Sequence, residues 1–403
     1  MLISAIILVS VLVIFTLGKS PVFRVDRAGA AIIGATLVIV SKVLTFDQAT
    51  RVVDYRTIVL LFSMMLISSY MNIIGLFELM GRYVMGKIKT GQGLLIMVII
   101  VSGVLSAFLI NDIVCLLFTP VVLTICRRAK IFPTPYLLAV ALASNIGSAA
   151  TLIGNPQNIL IGSLARLPFA WYLLLALPIT FVGLILTYFV LLKAYAQDLR
   201  HTLSYPEMEE KAKPIPRILL LKGIVVITGV LLGFILGFEP VLVASLGAAL
   251  LLITRRLKPN KVYAGIDFNL LVIFIGLFII VGGVEQSGLF EQFLGHLNGI
   301  SLPMFTVLTV ILSNIVSNVP AMMLLKFFIP MDNSAIWWAN MALFSTLAGN
   351  LTITGSIANL IVAELAKKGG VTIRFGDYLR VGLPITIALV LIGLGYFKLV
   401  FGI

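Results

Sequence analysis

The chain has 403 residues, of which 60% are hydrophobic and only 11% are charged. A soluble protein carries about 25% charged residues, so this composition excludes an ordinary soluble domain. The net charge of +13 does not indicate a nucleic-acid-binding protein, because the basic residues lie in short segments between apolar stretches of membrane-spanning length. The chain is therefore predicted to be an all-α polytopic membrane protein.

The first half predicts five spans and one shorter re-entrant hairpin. Residues 1–18 lack the positively charged start and the small-residue cleavage site of a signal peptide, so we expect a retained first span. The elements follow in the order span 2–18, span 28–46, span 57–80, hairpin 92–126, broken span 135–165 and span 170–193.

The second half predicts the same series of elements. They are span 218–237, span 240–255, span 268–284, hairpin 303–330, broken span 335–366 and span 378–401. We therefore expect a first repeat over 1–193, a hydrophilic cytoplasmic linker over 194–217 and a second repeat over 218–403. The prediction amounts to about ten transmembrane helices in two repeats, each with a re-entrant hairpin and a broken helix.

Short motifs recur in the same order in both halves. The tetrapeptide Gly-Leu-Phe-Glu occurs at 75–78 and 288–291, and Leu-Pro-Ile-Thr occurs at 177–180 and 383–386. Several matches in one order at similar offsets indicate an internal duplication. Because five crossings is an odd number, the second copy begins on the opposite side of the membrane, and the repeats are inverted.

The basic residues divide unevenly between the two sides that these spans define. One side receives 23 of the 29 Lys and Arg, and the other receives six, namely Lys42, Arg51, Arg56, Arg166, Lys326 and Lys398. Cytoplasmic loops carry the excess of Lys and Arg, so the first side is predicted to be cytoplasmic. Both termini are then expected outside the cytoplasm, in the plasma (inner) membrane.

The two broken spans carry polar residues and glycines at corresponding positions. Gly154 and Asn158 recur as Gly355 and Asn359, 201 positions later. Paired interruptions of this kind predict the substrate site of a secondary transporter, although small residues also serve ordinary helix packing. The candidate binding residues are Ser144, Asn145, Gly147, Ser148, Thr151, Gly154, Asn155 and Asn158 in the first half, and Gly349, Asn350, Thr352, Thr354, Gly355 and Asn359 in the second.

Both hairpins carry polar residues where their tips are expected. These residues are Asn111 and Asp112 in the first hairpin, and Ser317 and Asn318 in the second. Asp112 is the acidic residue that we place near the membrane centre, and a carboxylate there is costly and usually faces a partner or cavity. It is a candidate for proton coupling; the alternative is that it only caps the second half-helix.

The sequence gives little indication of metal binding, phosphate binding or catalysis. Cys115 and Cys126 would lie roughly 16 Å apart along a continuous helix, which is too far to share a metal ion. No phosphate-binding Gly-x-x-x-x-Gly-Lys-Ser/Thr motif occurs, and no nucleophile–base pair or cofactor motif is evident. We therefore expect no enzyme activity, no cofactor, no structural metal site and no nucleic-acid partner.

Four segments together resemble the ion transporter superfamily, and the resemblance covers nearly the whole chain. They are residues 111–120, residues 151–158, residues 317–320 and residues 355–359. The superfamily includes arsenite and antimonite efflux permeases, a branch of sodium/proton antiporters, and sodium–dicarboxylate and citrate carriers. The resemblance implies a scaffold domain, a transport domain built from the hairpins and broken helices, and often a homodimer.

Within that superfamily, the Asn-Asp tip and the Asn-Val-Pro tip are similar to the arsenite permeases. The Gly-Asn-Pro-Gln-Asn of residues 154–158 departs from the best-known arsenite permeases and is closer to the anion-permease and antiporter branch. The predicted function is proton-driven arsenite or antimonite efflux. The alternatives are a sodium/proton antiporter and a carboxylate or inorganic anion carrier. A separate cytoplasmic ATPase partner is allowed by the resemblance.

Overall fold

The computed structural model describes residues 1–204, 217–289 and 300–402. These ranges are helical almost throughout, and the helices are joined by short loops. The greater part of the predicted linker, residues 205–216, lies outside the described residues, as do the last two residues of the second Gly-Leu-Phe-Glu motif.

Ten helices are described in the first half, and their bounds follow the predicted spans closely. They are α1 Leu2–Leu17, α2 Arg27–Val40, α3 Phe46–Arg51, α4 Tyr55–Ile73, α5 Leu76–Lys87, α6 Gly91–Phe108, α7 Asn111–Ala129, α8 Thr134–Ser148, α9 Pro156–Ala165 and α10 Phe169–Ala194. The hairpin is formed by α6 and α7, and the broken span by α8 and α9.

The second half repeats this order in its described residues. Its helices are α11 Arg217–Ile235, α12 Pro240–Leu252, α13 Pro259–Tyr263, α14 Phe268–Gln286, α15 Leu302–Val316, α16 Asn318–Leu325, α17 Ser334–Ala348, α18 Ile357–Lys368 and α19 Phe375–Phe401. A 3₁₀ turn, Lys326–Phe328, extends α16. The second hairpin is formed by α15 and α16, and the second broken span by α17 and α18.

The contacts between helices show the twofold repeat in the described residues, and the inversion of its second copy stays a prediction. Helix α2 packs on α14, and its counterpart α12 packs on α4, which is the counterpart of α14. In the same way α9 packs on α17 while α18 packs on α8, and α10 packs on α19. When the two halves are interchanged, each of these contacts becomes its counterpart. A pseudo-twofold axis between the halves requires this relation.

One predicted span ends earlier than expected. The span predicted over 57–80 is interrupted, because α4 ends at Ile73 and Gly75 adopts a left-handed conformation with φ 83°. Glycine reaches this conformation at little cost, so the chain turns there and begins α5 as a separate helix. The short helices α3 and α13, which precede α4 and α14, were also not among the predicted elements.

Six described helices are long and apolar enough to cross a membrane by length and composition. They are α4, α6, α10, α11, α14 and α19, and α6 among them is an arm of the first hairpin. The predicted spans at α1, α2 and α12 are shorter apolar helices; α12, with 13 residues, rises about 20 Å against a hydrocarbon core of about 30 Å.

Burial shows where the core of the molecule lies. Every residue of α8 is buried, as are most residues of α17, so the first halves of the two broken spans form the centre. In α10, α11 and α19 only about a third or less of the most apolar window is buried, which leaves apolar faces for lipid. The candidate site therefore lies on the best-shielded elements of the protein.

Candidate functional site

Four helices begin around one small cavity at the centre of the molecule. They are α7 and α16, which are the second arms of the hairpins, and α9 and α18, which are the second parts of the broken spans. The cavity has a volume of about 30 Å³ and is lined by Asn111, Asp112, Pro156, Gln157, Leu270, Ser317, Asn318, Val319, Ser356 and Ile357. The predicted hairpin tips therefore do meet, and they meet at the breaks in both broken spans.

The charge around this cavity comes from helix ends and one carboxylate. Each helix start carries partial positive charge from backbone N–H groups without intrahelical partners. Asp112, in the first turn of α7, is the acidic residue that lines the cavity, and among the described residues no Lys, Arg or His lines it. The surroundings therefore favour hydroxyl oxygens or one negative charge, and they disfavour a second anion while the carboxylate is ionised.

Two amide oxygens at the tips lack hydrogen-bond partners among the described residues. They are Oδ1 of Asn111 and Oδ1 of Asn318, and both side chains are buried. Ser317, between α15 and α16, adopts φ 75°, which is a strained conformation for a residue with a side chain. A buried acceptor without a partner costs roughly 1–3 kcal/mol, so a donor or a cation at these oxygens would be stabilising.

The volume of the central cavity limits what it can hold in this conformation. A volume of about 30 Å³ holds two or three water molecules, at roughly 10–15 Å³ for each. We expect a trihydroxide or a carboxylate to fit only when the tips separate.

Behind the cavity, Asn145 joins the two halves of the molecule. Its Oδ1 accepts from Asn111 Nδ2 at 3.0 Å and from Ser356 Oγ at 3.1 Å. Its Nδ2 donates to Asn350 Oδ1 and to Asn359 Oδ1, both at 2.9 Å. Because an amide side chain offers two donors and two acceptor positions, no hydrogen-bonding capacity remains for a solute in this conformation.

Thr346 occupies the corresponding place in the second half. Its Oγ1 accepts from Asn155 Nδ2 at 3.1 Å and from Gln157 Nε2 at 3.3 Å. The same hydroxyl lies 3.1 Å from Asn158 Oδ1 and 3.0 Å from the Ala342 carbonyl, and it donates its one proton to either oxygen. Thr346 thus ties the second half to α9 of the first.

These contacts repeat under the exchange of the halves. Asn145 donates to Asn359, and the Thr346 hydroxyl lies within hydrogen-bond distance of Asn158 Oδ1, so each broken span contacts the helix start of the other. Within its own span, Asn158 Nδ2 donates to the Thr151 carbonyl at 2.9 Å, as Asn359 Nδ2 does to the carbonyl of Thr352, the counterpart of Thr151, at 3.2 Å. The network makes the two broken spans one connected unit.

Two predicted glycines are explained by close backbone packing. A Cβ atom on Gly147 would lie 2.1 Å from the Gly103 carbonyl oxygen, where α8 crosses α6. A Cβ atom on Gly154 would lie 2.4 Å from the Ser148 carbonyl oxygen, and the Gly154 carbonyl accepts from Asn111 N at 2.9 Å. Their role here is to bring the hairpin tip against the break.

The remaining predicted residues lie around the network or outside it. Ser144 accepts from Cys115 Sγ at 3.1 Å, and Ser148 accepts from Asn155 at 3.1 Å. Thr151 donates to the Ala107 carbonyl, and Gly355 approaches Asn314. Thr352 and Thr354 pair through their hydroxyls at 3.2 Å, and Thr354 is exposed and does not line the cavity.

The candidate set omitted several residues that the structure places at the site. Gln157 and Ser356 line the cavity, Thr346 anchors the network, and Leu270 enters from the start of α14. Ser356 and Thr346 are the repeat counterparts of Asn155 and Asn145, so a strict use of the duplication would have included them. Leu270 is apolar, so no sequence pattern marks it, and only the tertiary structure places it at the cavity.

Comparison with known proteins assigns the chain to a family. The family model described as citrate transporter matches residues 10–342. The chain belongs to the citrate transporter family. Its membership places it in the ion transporter superfamily, as the resemblance of the hairpin tips and broken spans implied.

Three relatives show the range of the family. A 46 kDa membrane protein of Mycobacterium leprae is 31% identical and is matched over 90% of this chain and 91% of its own length. A putative transporter arsB of Dictyostelium discoideum is 27% identical over 92% of this chain and 86% of its own length. A silicon efflux transporter of Oryza sativa subsp. japonica is 27% identical over 93% of each chain.

Two solved structures share the fold at low sequence identity. The YdaH transporter of Alcanivorax borkumensis superposes with a TM-score of 0.63 at 16% identity, over 100% of this chain and 97% of that one. The MtrF efflux pump of Neisseria gonorrhoeae superposes with a TM-score of 0.62 at 13% identity, over 98% and 94%. At these identities the likeness concerns the fold alone.

Proposed function

We propose that this secondary transporter exports a small, neutral, hydroxylated acid, of which arsenous and antimonous acids are the expected examples. Export is driven by protons that enter through Asp112. The observation that supports this is the lining of the central cavity, which combines amide, hydroxyl and backbone groups with one carboxylate and no basic side chain. Such groups exchange hydrogen bonds with a neutral trihydroxide, and no thiol ligand is required.

The same lining argues against citrate as the substrate, although the family is described by that name. A polyanion would face the Asp112 carboxylate with no Lys, Arg or His at the cavity to compensate. Helix starts alone supply only partial charges. The names of two relatives, a putative arsB transporter and a silicon efflux transporter, also favour hydroxylated acids.

Sodium/proton antiport is the second candidate, because one observation favours it specifically. The unpartnered Oδ1 atoms of Asn111 and Asn318 are hard oxygen donors beside the Asp112 carboxylate. Oxygen ligands of this kind suit a small hard cation. In this alternative, the carboxylate would carry either sodium or a proton across the membrane.

Flux into and out of proteoliposomes distinguishes these functions. Purified protein is reconstituted, and arsenite, citrate and sodium fluxes are measured separately under an imposed pH gradient. We expect the pH gradient to drive arsenite, with citrate unmoved. Sodium exchange for protons without arsenite flux would overturn the proposal in favour of the antiporter.

A pair of asparagine variants tests whether the flux passes the cavity. Asn318→Ala removes a buried tip amide and is expected to lower arsenite flux about fivefold, since an amide that bonds to the solute contributes about 1 kcal/mol. Asn260→Ala, at an exposed position of α13, is the matched control and should retain wild-type flux. Equal flux in both variants would place the pathway elsewhere.

A further inference from the structure

A second, much larger cavity lies away from the transport site. Its volume is about 390 Å³, within the range of roughly 300–1,000 Å³ that is usual for ligand pockets. It opens between the turn from α9 to α10 and the turn from α11 to α12, with α4 behind it. It shares no lining residue with the central cavity.

The interior of this peripheral cavity is apolar. Phe169 and Phe234 face each other with ring centroids 5.3 Å apart, and Leu60, Leu152 and Ile159 close the far wall. At the opening, Phe238 and Ile235 are exposed, with 61% and 48% of their surface accessible. Exposed apolar side chains on a membrane protein continue into the surrounding lipid, so the opening leads from the bilayer rather than from water.

The charged residues that line the cavity carry one positive charge in excess, and the Asp54 carboxylate lies behind the lining, where it accepts from Ser163 Oγ at 2.7 Å. Arg56 pairs with Glu239 at 3.2 Å, and both side chains are partly exposed. Arg166, which follows α9 in a left-handed conformation with φ 49°, also lines the cavity, and no ion pair to it is found among the described residues. Arg56 and Arg166 are two of the six basic residues on the side that is predicted to carry fewer of them. A third of the positive charge of that side therefore lies at this opening.

We propose that this peripheral cavity binds one anionic phospholipid. An acyl chain occupies the apolar interior, and the phosphodiester lies at the opening with the Arg166 guanidinium. A guanidinium matches the geometry of a phosphate and forms strong, charge-assisted hydrogen bonds with it. A soluble phosphate would leave the apolar interior empty, and a zwitterionic lipid would bring its own cation to an opening where positive charge is already in excess.

The position of the lipid links two parts of the fold. Ile159 and Arg166 belong to the broken span that carries the transport site, whereas Phe234 and Glu239 belong to the α11–α12 region. A bound lipid therefore packs against both. The binding itself does not depend on the substrate proposed above, so it can be tested without transport.

Lipid binding to the purified, delipidated full-length protein tests the proposal. Native mass spectrometry with phosphatidylglycerol is expected to show one saturable adduct. Arg166→Gln should weaken it about tenfold, because the charge-assisted hydrogen bond to the phosphodiester is lost. Ala170→Phe, which fills the interior without changing charge, should weaken it at least as much. Arg51→Gln is the matched control, because Arg51 is exposed, on the same predicted side and outside the cavity.

Two further ligands distinguish the contribution of the acyl chains from the contribution of the net charge. Glycerol 3-phosphate, which lacks acyl chains, should not compete with phosphatidylglycerol, and phosphatidylcholine should bind about tenfold more weakly because it has no net charge. Competition by glycerol 3-phosphate would overturn the proposal, because it would show that the cavity binds a soluble anion. Equal binding by phosphatidylcholine, or unchanged binding in both cavity variants, would also overturn the proposal.

Discussion

Asn145 and Thr346 show how one residue in each half can hold a binding region without facing the solute. Each lies 201 positions from the other, each is buried, and each bonds to the opposite half. Every hydrogen-bonding position of Asn145 is filled by protein. We infer that these residues position the site, while the tip residues and Gln157 contact what enters it.

An isosteric substitution measures what the Thr346 hydroxyl contributes. Thr346→Val removes a hydroxyl that accepts two hydrogen bonds and donates one, and it leaves Asn155 and Gln157 without this acceptor. We expect a destabilisation of about 1–3 kcal/mol, measured as a lower midpoint of thermal unfolding in detergent. The control is Thr119→Val, because the buried Thr119 hydroxyl has no partner among the described residues, and its loss should be neutral or stabilising. Equal shifts in both variants would contradict the role of the network.

The carboxylate at the first tip should determine the pH dependence of transport. Asp112→Asn keeps the shape of the side chain but cannot exchange a proton. We expect a pH gradient to stop driving substrate through this variant, while exchange of substrate at equal pH persists. Asp47→Asn, an exposed change in α3, is the control and should leave coupling unchanged. Wild-type dependence on the gradient in Asp112→Asn would exclude Asp112 from coupling. The alternative that Asp112 only caps the half-helix is not supported, because the N-cap of α7 is Ile110 and has no side-chain cap hydrogen bond.

At the scale of elements, the short half-helices are what create the central cavity. Asn155 and Ser356 cap α9 and α18 with their side chains, so each helix begins at the break and not earlier. Pro156 at the first position of α9 lacks the N–H that a continuous helix would need. These signals are local, which explains why the sequence analysis located both breaks.

The crossing of α6 and α8 depends on a glycine. Gly147→Ala would place a Cβ atom 2.1 Å from the Gly103 carbonyl oxygen, and neither backbone can yield as a side chain would. We expect a destabilisation of about 1–3 kcal/mol or more in thermal unfolding, together with loss of transport. Gly86→Ala in α5 meets nothing within 4 Å and should be neutral or stabilising by up to about 1 kcal/mol. A neutral Gly147→Ala would show that α6 and α8 are less tightly packed than the structure describes.

At the scale of the whole molecule, the inverted repeat sets where each loop must lie. The charge distribution predicts that both termini are outside the cytoplasm, and this orientation remains a prediction. The expected homodimer and the ATPase partner likewise remain predictions. The described residues do show the repeat itself, through the exchanged packing of α2 on α14 and α12 on α4.

Cysteine labelling tests the orientation with little background. The native Cys115 and Cys126 are buried, so an impermeant maleimide should react with them slowly. In intact cells we expect labelling of Leu2→Cys and Gly402→Cys, near the two termini, and none of Lys130→Cys, in the turn after the first hairpin. Labelling of Lys130→Cys alone would show that the protein is inserted in the opposite orientation.

The sequence by itself determined the class of fold, the duplication and the positions of the breaks. Apolar stretches, paired motifs and caps are local signals, and the helices that they predict are present. The early end of α4 at Gly75 was missed, because the apolar pattern continues past a residue whose backbone conformation decides the turn.

Only the tertiary structure decided which polar residues keep an unpartnered oxygen at the central cavity and which are saturated by other residues. Asn145 and Asn111 look alike as residues in apolar segments, yet Asn145 is saturated by partners from both halves, whereas Asn111 keeps a free oxygen at the cavity. The same is true of Arg166, which belongs to the large apolar cavity only because α9 packs near α11 and α12. Hydrogen-bond saturation and cavity walls depend on residues far apart in the chain, so no local pattern specifies them.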